Sequence, residues 1–269
     1  MLTLSEYCVR ARNTSVHSAN KIHDDAVARE LGFQGGLVPG ATVYAYMTRS
    51  LVAAFGRDWI ERGAASVRFV KPVYAGEEVT VRAAGVPGDP TALAVSAVNP
   101  AGEPCAILTA RLSDPRAEPL VDLAAYPARD LPAEPPPATR AVLETLGVLG
   151  SPALVYDEAA AAEARGRFDD VDPHYRGADA LAHPAVFLEQ ANRALDQNVR
   201  LGPWIHTASV VRHLGAVGLG ERLTTRGRVG RVHEKRGNEF VELDLLIVGG
   251  DARPVARLSH TAIYRLRVS

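Results

Sequence analysis

The chain is poor in cysteine and has no excess of either charge. It contains two cysteines, Cys8 and Cys105, which are too few and too far apart for a disulfide framework or a metal cage. The 30 Lys and Arg residues balance 31 Asp and Glu residues, which leaves a net charge of −1. This balance argues against a nucleic-acid-binding surface. The sequence also has no polybasic patch, which would predict binding to anionic lipid.

Long apolar runs are also missing. No stretch is long enough to span a bilayer, and the opening residues, MLTLSEYCVRARNTS, lack the apolar core of a signal peptide. We therefore expect a cytoplasmic protein. The composition, 47% hydrophobic and 23% charged, is typical of a folded chain, and the length allows one large domain or two ordinary ones.

The chain contains an internal repeat. Its most proline-rich segment, residues 113–140, cannot continue a helix or a central strand and divides the chain into similar halves. VRFVKPVYAGEEV begins at residue 67 and VRHLGAVGLGERL at residue 211, an offset of 211 − 67 = 144. Farther on, NPAGEPCAILTARL corresponds to GGDARPVARLSHTAIYRL with an offset of about 150, as a lengthened hairpin would produce. The predicted units are residues 1–115, a linker 116–152, and residues 153–269.

Each half has the pattern of one long helix followed by strands. Residues 40–55 are apolar nearly all round, as expected of a helix wrapped by a sheet. The following segments are rich in β-branched residues and are joined by turn sequences such as NPAGEP and GGDARP. One buried helix inside an antiparallel sheet, occurring twice, predicts an α+β fold of the tandem (double) hot-dog type.

The segment NKIHDDAVARELGFQGGLVPG, residues 20–40, resembles the signature of the MaoC-like, (R)-specific enoyl-CoA hydratase family. That signature runs Asp-x-Asn-Pro-(Ile/Val)-His-x-Asp, then Ala and Gly-Phe, and ends in His-Gly before the central helix. RFVKPVYAGEEV is similar to the family's strand after that helix. With the repeat, the resemblance covers most of the chain. The matching positions in the signature are Asn20, Ile22, His23, Asp25, Ala28, Gly32, Phe33 and Gly40.

The resemblance implies a hydratase or dehydratase of acyl-CoA or a related acyl thioester, without a cofactor or metal. In the family, an Asp and a His hold the water that adds across the C2=C3 bond of an enoyl thioester. A Gly amide at the start of the central helix stabilises the enolate oxygen, in keeping with the preference of helix N-termini for negative charge. His23 and Gly40 take these two places here.

The chain departs from the signature at several places. The family's Asp, five residues before the His, is Ser18, which can hold a water but cannot act as a carboxylate base. Its His before the helix is Pro39. A replacement could be Asp24, Asp25, His17 or a carboxylate of the other half, and the sequence leaves these open; Asp24 and Asp25 also suit a helix N-terminus. The predicted catalytic residues are His23, Ser18, Asp25 and Gly40.

The second half lacks an Asn-x-Ile-His segment, so we expect it to make room for the acyl chain. It is loosely similar to the hot-dog dehydratases of fatty-acid synthesis, with His174 or His183 acting beside Glu189. A lone carboxylate on an apolar helix is often functional, although Glu189 could instead pair with Arg193. Arg68, Lys71 and Arg212 are candidate contacts for coenzyme phosphates. The predicted substrate-binding residues are Asn20, Gly36, Arg68, Lys71, His183 and Glu189.

Other functions and assemblies remain open. Thioester hydrolysis, with Glu189 or an aspartate activating water, is a second enzymatic interpretation, and a non-catalytic acyl-CoA binder is a third. The fused chain could be a monomer or a homodimer. The other four histidines in the second half lack metal-ligand spacing, which favours ordinary surface or packing roles. They are His206, His213, His233 and His260.

Overall fold

The computed structural model describes residues 5–114 and 121–267. Strands within these residues pair antiparallel into one sheet of ten, in the order β1-β3-β4-β5-β2-β7-β10-β9-β8-β6. The strands are β1 (Ser5–Arg10), β2 (Gly63–Phe69), β3 (Glu78–Val86), β4 (Asp89–Val98), β5 (Pro104–Leu112), β6 (Ala153–Tyr156), β7 (Ile205–His213), β8 (Glu221–Lys235), β9 (Asn238–Val248) and β10 (Pro254–Arg265).

The sheet consists of two five-stranded halves joined at their inner edges. Read from the outer edges, their orders are β1-β3-β4-β5-β2 and β6-β8-β9-β10-β7, so the two halves mirror each other strand for strand. The join is the antiparallel pairing of β2 with β7, from Ala64 opposite Arg212 to Arg68 opposite Ala208. Because the join is made by backbone hydrogen bonds, the halves form one continuous sheet. The double hot-dog prediction is confirmed.

Two long helices, α2 (Gly40–Phe55) and α6 (Ala185–Asp196), pack against the sheet, one on each half. Helix α2 contacts β3, β4, β5 and α6, whereas α6 contacts β8, β9 and β10. Most side chains of α2 are buried whichever way they point, as the all-round apolar pattern predicted. No helix in the described ranges is long and apolar enough to cross a membrane. The helices are α1 (Asp25–Glu30), α2 (Gly40–Phe55), α3 (Arg57–Arg62), α4 (Arg140–Leu146), α5 (Glu158–Phe168) and α6 (Ala185–Asp196).

The repeat offset is preserved in the contacts that enter each central helix. Leu37 pairs with Tyr74 in an isolated β-bridge and Leu181 pairs with Gly218, so both partners are displaced by 181 − 37 = 218 − 74 = 144 residues. The Val38 amide donates to the Val73 carbonyl, and the Ala182 amide donates to the Val217 carbonyl, both at 2.8 Å. The two halves therefore share their approach to the central helix as well as their strand order.

The predicted linker is packed rather than extended through solvent. Residues 115–120 lie outside the described part of the chain, but 121–152 run along the second half. The α4 residue Leu143 is fully buried. The Leu149 amide donates to the Gly227 carbonyl at 2.9 Å, and the Tyr126 hydroxyl lies 2.9 Å from a carboxylate oxygen of Asp244. The proline-rich segment thus adds contacts to the second half.

Four histidines are more than nine-tenths buried, which makes the fold sensitive to acid. Burial lowers the pKa of His206 to about 3 and that of His213 to about 4, and the pKa values of His183 and His260 are lowered for the same reason. The unfolded chain binds protons at each of these sites below about pH 6.5, where the folded chain does not, so stability falls as the pH drops. The four residues are His183, His206, His213 and His260.

Urea unfolding at pH 7 and pH 5 measures this effect. We expect each strongly shifted histidine to remove on the order of 2 kcal/mol of unfolding free energy over that interval. A His213→Phe variant should show a smaller pH dependence than the native chain, and a variant of the exposed His17 should not. An unfolding free energy that is equal at both pH values would contradict the expectation.

Candidate functional site

A cavity of about 590 Å³ opens where the first half meets α6 and β7. Its walls come from the loop before α1, the first turn of α2, the end of β2 and, in the second half, α6 and the start of β7. The volume lies in the range of small-molecule sites, which is roughly 300–1,000 Å³. Six of the predicted site residues line it: Ser18, Asn20, His23, Gly40, Lys71 and Glu189.

His23 is held in one orientation by the turn that carries it. Residues Lys21–His23 form a 3₁₀ turn, capped by the Asn20 side chain and anchored by the buried Ile22. The His23 Nδ1 atom lies 2.7 Å from the Leu37 carbonyl oxygen. Because a carbonyl can only accept, Nδ1 carries the hydrogen, and the neutral ring has its lone pair on Nε2. Burial lowers the pKa of His23, partly offset by the Leu37 carbonyl, so the ring is neutral at pH 7.

Asn20 ties this loop to the second half of the molecule. Its Nδ2 donates to the Trp204 carbonyl at 2.9 Å, and its Oδ1 accepts from the Trp204 amide at 3.2 Å. Both ends of the side-chain amide are therefore engaged by protein, although Asn20 lines the cavity. Its predicted contact with substrate gives way to a positioning role, in which it fixes the His23 loop against the opposite wall.

The first turn of α2 presents backbone amides at the cavity. Gly40 and Ala41 both line it, and within the described residues neither amide has a hydrogen-bond acceptor. Pro39 supplies no side-chain cap. Free amides at a helix start carry partial positive charge and favour a developing negative charge. A methyl group built on Gly40 would lie 3.1 Å from both His206 Nδ1 and Phe69 Cε2, so a larger residue would crowd this wall.

Two carboxyl groups of α6 face the same cavity. Glu189 lies 3.1 Å from the Arg167 guanidinium, and burial raises its pKa to about 7 against the opposing pull of Arg167 and Arg193. Burial likewise raises the pKa of Asp196 to about 6, again opposed by Arg193. The structure thus places carboxyl groups of the other half in the cavity, one of the alternatives that the sequence leaves open. The predicted ion pair of Glu189 with Arg193 is replaced by one with Arg167.

The two aspartates next to His23 lie outside the cavity lining. Asp24 caps α1, accepting from the amides of Ala26 and Val27. Asp25 is exposed and holds the far side of the loop, accepting from the Gly36 amide at 2.8 Å and from Arg29 at 3.1 Å. The pKa of Asp25 is lowered by these two contacts, the Gly36 amide first. The geometry gives Asp25 a structural task, and its predicted catalytic role is not supported.

Three predicted substrate-binding residues, Gly36, Arg68 and His183, also lie outside the cavity lining. Gly36 is buried against the His23 carbonyl, where it supports the loop. Arg68 is exposed and alternates with the buried Val67 along β2, so it lies on the outer face of the sheet. Lys71, by contrast, lines the cavity, and its ammonium nitrogen lies 2.5 Å from a carboxylate oxygen of Glu103.

The structure does not bring His183 into one site with Glu189. His183 is buried outside the cavity lining, with Nε2 3.3 Å from Asp170 and Nδ1 accepting from the Ala185 amide at 3.1 Å. The rings of Phe168 and Tyr175 pack against it at 4.7 and 4.6 Å. This arrangement does not support the expectation that His183 acts beside Glu189. His174, the other candidate, bonds to Asp172 at 2.7 Å instead.

The second half contains the turn that its sequence appeared to lack. Asp172 caps the turn Pro173–Tyr175 as Asn20 caps Lys21–His23. The Leu181 amide donates to His174 as the Leu37 amide donates to Ile22. The turns are offset by 173 − 21 = 152 residues instead of 144, which concealed the match. Aligned this way, Asp170 takes the place of Ser18 and Tyr175 that of His23; the signal was Asp-Val-Asp-Pro, close to the family's Asp-x-Asn-Pro.

His206 is a further residue of the cavity that its local sequence does not reveal. The sequence favours an ordinary surface or packing role for this histidine, yet it lines the cavity next to Gly40. The periodicity of β7 could not reveal this, because the position depends on how β7 pairs with β2. No group of three or more His, Cys, Asp or Glu side chains within residues 5–114 and 121–267 is arranged to hold a metal ion.

Comparison with known proteins gives a domain match and several matches of fold. Residues 17–90 match the family model of the MaoC like domain. No curated protein sequence matches the chain. A Chloroflexus aurantiacus structure named as a MaoC domain protein dehydratase has 13% identity and a TM-score of 0.64, covering 99% of this chain and 95% of that one.

Two other structures have the same architecture. A Mycobacterium tuberculosis protein with a double hot-dog fold has 16% identity and a TM-score of 0.63, covering 97% of this chain and 95% of that one. A Lactobacillus plantarum structure named as an oleoyl thioesterase has 13% identity and a TM-score of 0.58, covering 99% and 98%. At these identities the structures bear on the fold alone. The residues 17–90 that match the MaoC like domain model include the His23 loop, α2, β2 and β3, and they lie within a double hot-dog fold.

Proposed function

We propose that this chain adds water to an enoyl thioester, or removes it from a 3-hydroxyacyl thioester, with acyl-CoA or a related acyl thioester as substrate. The observation that carries the proposal is the pairing, in one cavity, of a neutral imidazole with free amides at a helix start. A thioester oxygen placed at Gly40 and Ala41 would gain stabilisation as it becomes negative. His23 would then accept a proton from the attacking water.

The proposed addition moves one water molecule onto the C2=C3 bond. The water oxygen bonds to C3 while its proton passes to His23 Nε2, and electron density moves through C2 to the thioester oxygen at α2. Reprotonation at C2 completes the addition. Glu189 supports this last step, because a carboxyl group with a pKa of about 7 is partly protonated at neutral pH and can donate; the proton held by His23 then passes through solvent to Glu189 and restores both groups. Dehydration follows the same path in reverse.

The remaining walls suit a coenzyme thioester. Lys71 and Arg267 are cations in the lining, and in this proposal they would contact phosphate groups, for which such side chains are well suited. Apolar side chains, including Leu31, Phe33 and Val43, line other parts of the cavity and would contact an acyl chain. This distribution supports a ligand with one charged end and one apolar end.

Thioester hydrolysis is the second candidate, favoured by Glu189. The ionised fraction of a carboxyl group with a pKa of about 7 can activate water against the thioester carbonyl. Ser18 favours a third candidate, a binder without catalysis, because it removes the carboxylate that the family pairs with its His. Both alternatives use the same cavity as the leading proposal.

Incubation of the purified chain with crotonyl-CoA separates the three functions. Hydration removes the ultraviolet absorbance of the enoyl group, releases no thiol, and yields a product heavier by one water. Hydrolysis releases free thiol instead. Binding of crotonyl-CoA in calorimetry with neither signal would support the third candidate and overturn the proposal of catalysis.

A Ser18→Asp variant should hydrate crotonyl-CoA faster than the native chain. The substitution restores the carboxylate of the family signature in the cavity that His23 lines, where it can hold and polarise water. We expect a gain in kcat of at least ~10-fold, since positioned acid–base groups contribute ~10²–10⁴-fold. Initial rates at saturating substrate measure it. Ser15→Asp adds the same charge to the same cavity at another position and should give no gain. Equal rates for both variants would contradict the assigned role of position 18.

A further inference from the structure

A buried hydrogen-bonded chain of three side chains ends at the cavity. His206 Nε2 lies 2.8 Å from the Ser209 hydroxyl, and that hydroxyl lies 3.0 Å from His260 Nδ1. Ser209 and His260 face each other in the pairing of β7 with β10, so the strand register fixes their contact. The side chains are 7%, 1% and 0% exposed, which removes water as a competing partner.

The cavity end of this chain is an unpartnered nitrogen next to the start of α2. His206 Nδ1 has no hydrogen-bond partner among the described residues. A methyl group on Gly40 would lie 3.1 Å from that atom, which places it alongside the free amide of the same residue. Phe69 packs edge-on against the His206 ring at 4.8 Å and restricts its rotation. A buried polar atom without a partner, on a ring that lines a cavity, points to a ligand as the source of the missing bond.

The protons of the chain can be arranged in two ways. A neutral imidazole has one donor and one acceptor nitrogen, and the Ser209 hydroxyl has a single hydrogen. If His206 donates to Ser209, then Ser209 donates to His260, and the bare Nδ1 of His206 faces the cavity. If His260 donates instead, Ser209 donates to His206 Nε2, and His206 Nδ1 carries its hydrogen into the cavity. The two arrangements have the same charge.

We infer that His206 is the second donor to the thioester oxygen, acting together with the amide at the start of α2, and that Ser209 and His260 hold it in the donor form. This inference rests on the proposed function and adds a contact to it. A thioester oxygen can only accept, so its binding selects the arrangement with hydrogen on His206 Nδ1. That arrangement leaves a bare nitrogen on the fully buried His260, and it avoids an unpaired N–H there.

The ring donates as a neutral group. Burial lowers the pKa of His206 to about 3, and burial also lowers the pKa of His260. A neutral donor suits an oxygen that gains charge during the reaction, because it stabilises that charge without forming a tight ion pair with the enolate. Ser209 and His260 touch no substrate in this scheme and are positioning residues.

Nitrogen-15 NMR of histidine-labelled native chain tests the contact without relying on activity. A protonated ring nitrogen and a bare one have well-separated shifts, and a His206→Phe sample assigns the signal. Butyryl-CoA, a saturated thioester that cannot be hydrated, should give His206 the shift of an Nδ1-protonated ring. S-butyl-CoA, in which a methylene replaces the carbonyl, should bind without selecting that form. Identical His206 spectra with the two compounds, both at saturation, would overturn the inference.

Kinetics of variants give a second readout. Removing one donor to a developing oxyanion costs about 10²–10³-fold in kcat, so we expect a loss of that size for His206→Phe with little change in KM. Ser209→Ala keeps the ring but frees its orientation, and should lower kcat by roughly 10-fold. Ser66→Ala removes an exposed hydroxyl from the neighbouring strand β2 and should leave kcat unchanged.

The outcomes separate this inference from the proposed function. If the native chain does not hydrate crotonyl-CoA, the hydratase proposal fails while the NMR comparison still tests the carbonyl contact. If the native chain hydrates crotonyl-CoA but Ser209→Ala and His206→Phe retain full kcat, the inference fails and the hydratase proposal stands. Loss of kcat in both variants together with the carbonyl-dependent shift supports the inference.

Discussion

Replacing His23 by Ala should lower kcat for crotonyl-CoA hydration by about 10²–10⁴-fold, the contribution typical of a positioned acid–base group. The Leu37 carbonyl fixes the hydrogen on Nδ1, so Nε2 is the only ring atom able to take a proton. Binding of butyryl-CoA should change much less, since the α2 amides and the cavity walls are untouched. Absorbance assays of enoyl-group consumption measure kcat, and calorimetry measures the binding of butyryl-CoA.

The pH profile of the native chain provides a companion to this variant. His23 serves as a base only when neutral, and burial lowers its pKa below the usual 6.5. Activity should therefore persist below pH 6.5 and fall as the pH drops through the lowered pKa. His17→Ala removes an exposed ring from the same loop and should keep native activity. Full activity in His23→Ala would remove the first half from the mechanism.

Replacing Gly36 by Ala should disable the same loop without changing any side chain of the cavity. A methyl group at Gly36 would overlap the carbonyl group of His23, lying 2.7 Å from its carbon, and this is backbone that cannot rotate away. We expect a loss of about 1–3 kcal/mol of unfolding free energy from overpacking. We also expect about 10²-fold lower kcat, because a displacement of about 1 Å at a catalytic group has that effect.

The neighbouring glycine supplies a matched control for this variant. A methyl group at Gly35 would meet the Asp25 carboxylate at 3.1 Å, and that exposed side chain can move aside. Gly35→Ala should therefore stay close to native in urea unfolding and in kcat. If Gly36→Ala behaved like Gly35→Ala in both measurements, the loop would not be as tightly packed beneath His23 as the structure shows.

The fold could be predicted from the sequence because its main signals are local or repeated. The all-round apolar pattern of residues 40–55 defines a buried helix, and the offset of 144 shows that the unit occurs twice. The resemblance around His23 also indicated the loop and helix that form one wall of the cavity. These features depend on residues close together in the chain.

The opposite wall could not be predicted, because it depends on contacts between distant segments. Nothing local to Glu189 shows that its carboxyl group enters the cavity of the first half, and His206 reaches Gly40 only because β7 pairs with β2. Asp25 shows the converse. Its spacing from His23 suggested chemistry, but the fold of the loop turns its carboxylate to the Gly36 amide.

Joining both halves in a single polypeptide has a consequence for how the two can diverge. Identical subunits related by twofold symmetry must carry every substitution twice. Here equivalent places hold different residues, Ser18 against Asp170 and His23 against Tyr175. In the second half, the rings of Phe168 and Tyr175 pack against His183 and fill the space at the turn. The first half can therefore keep an open cavity at the equivalent turn, around His23.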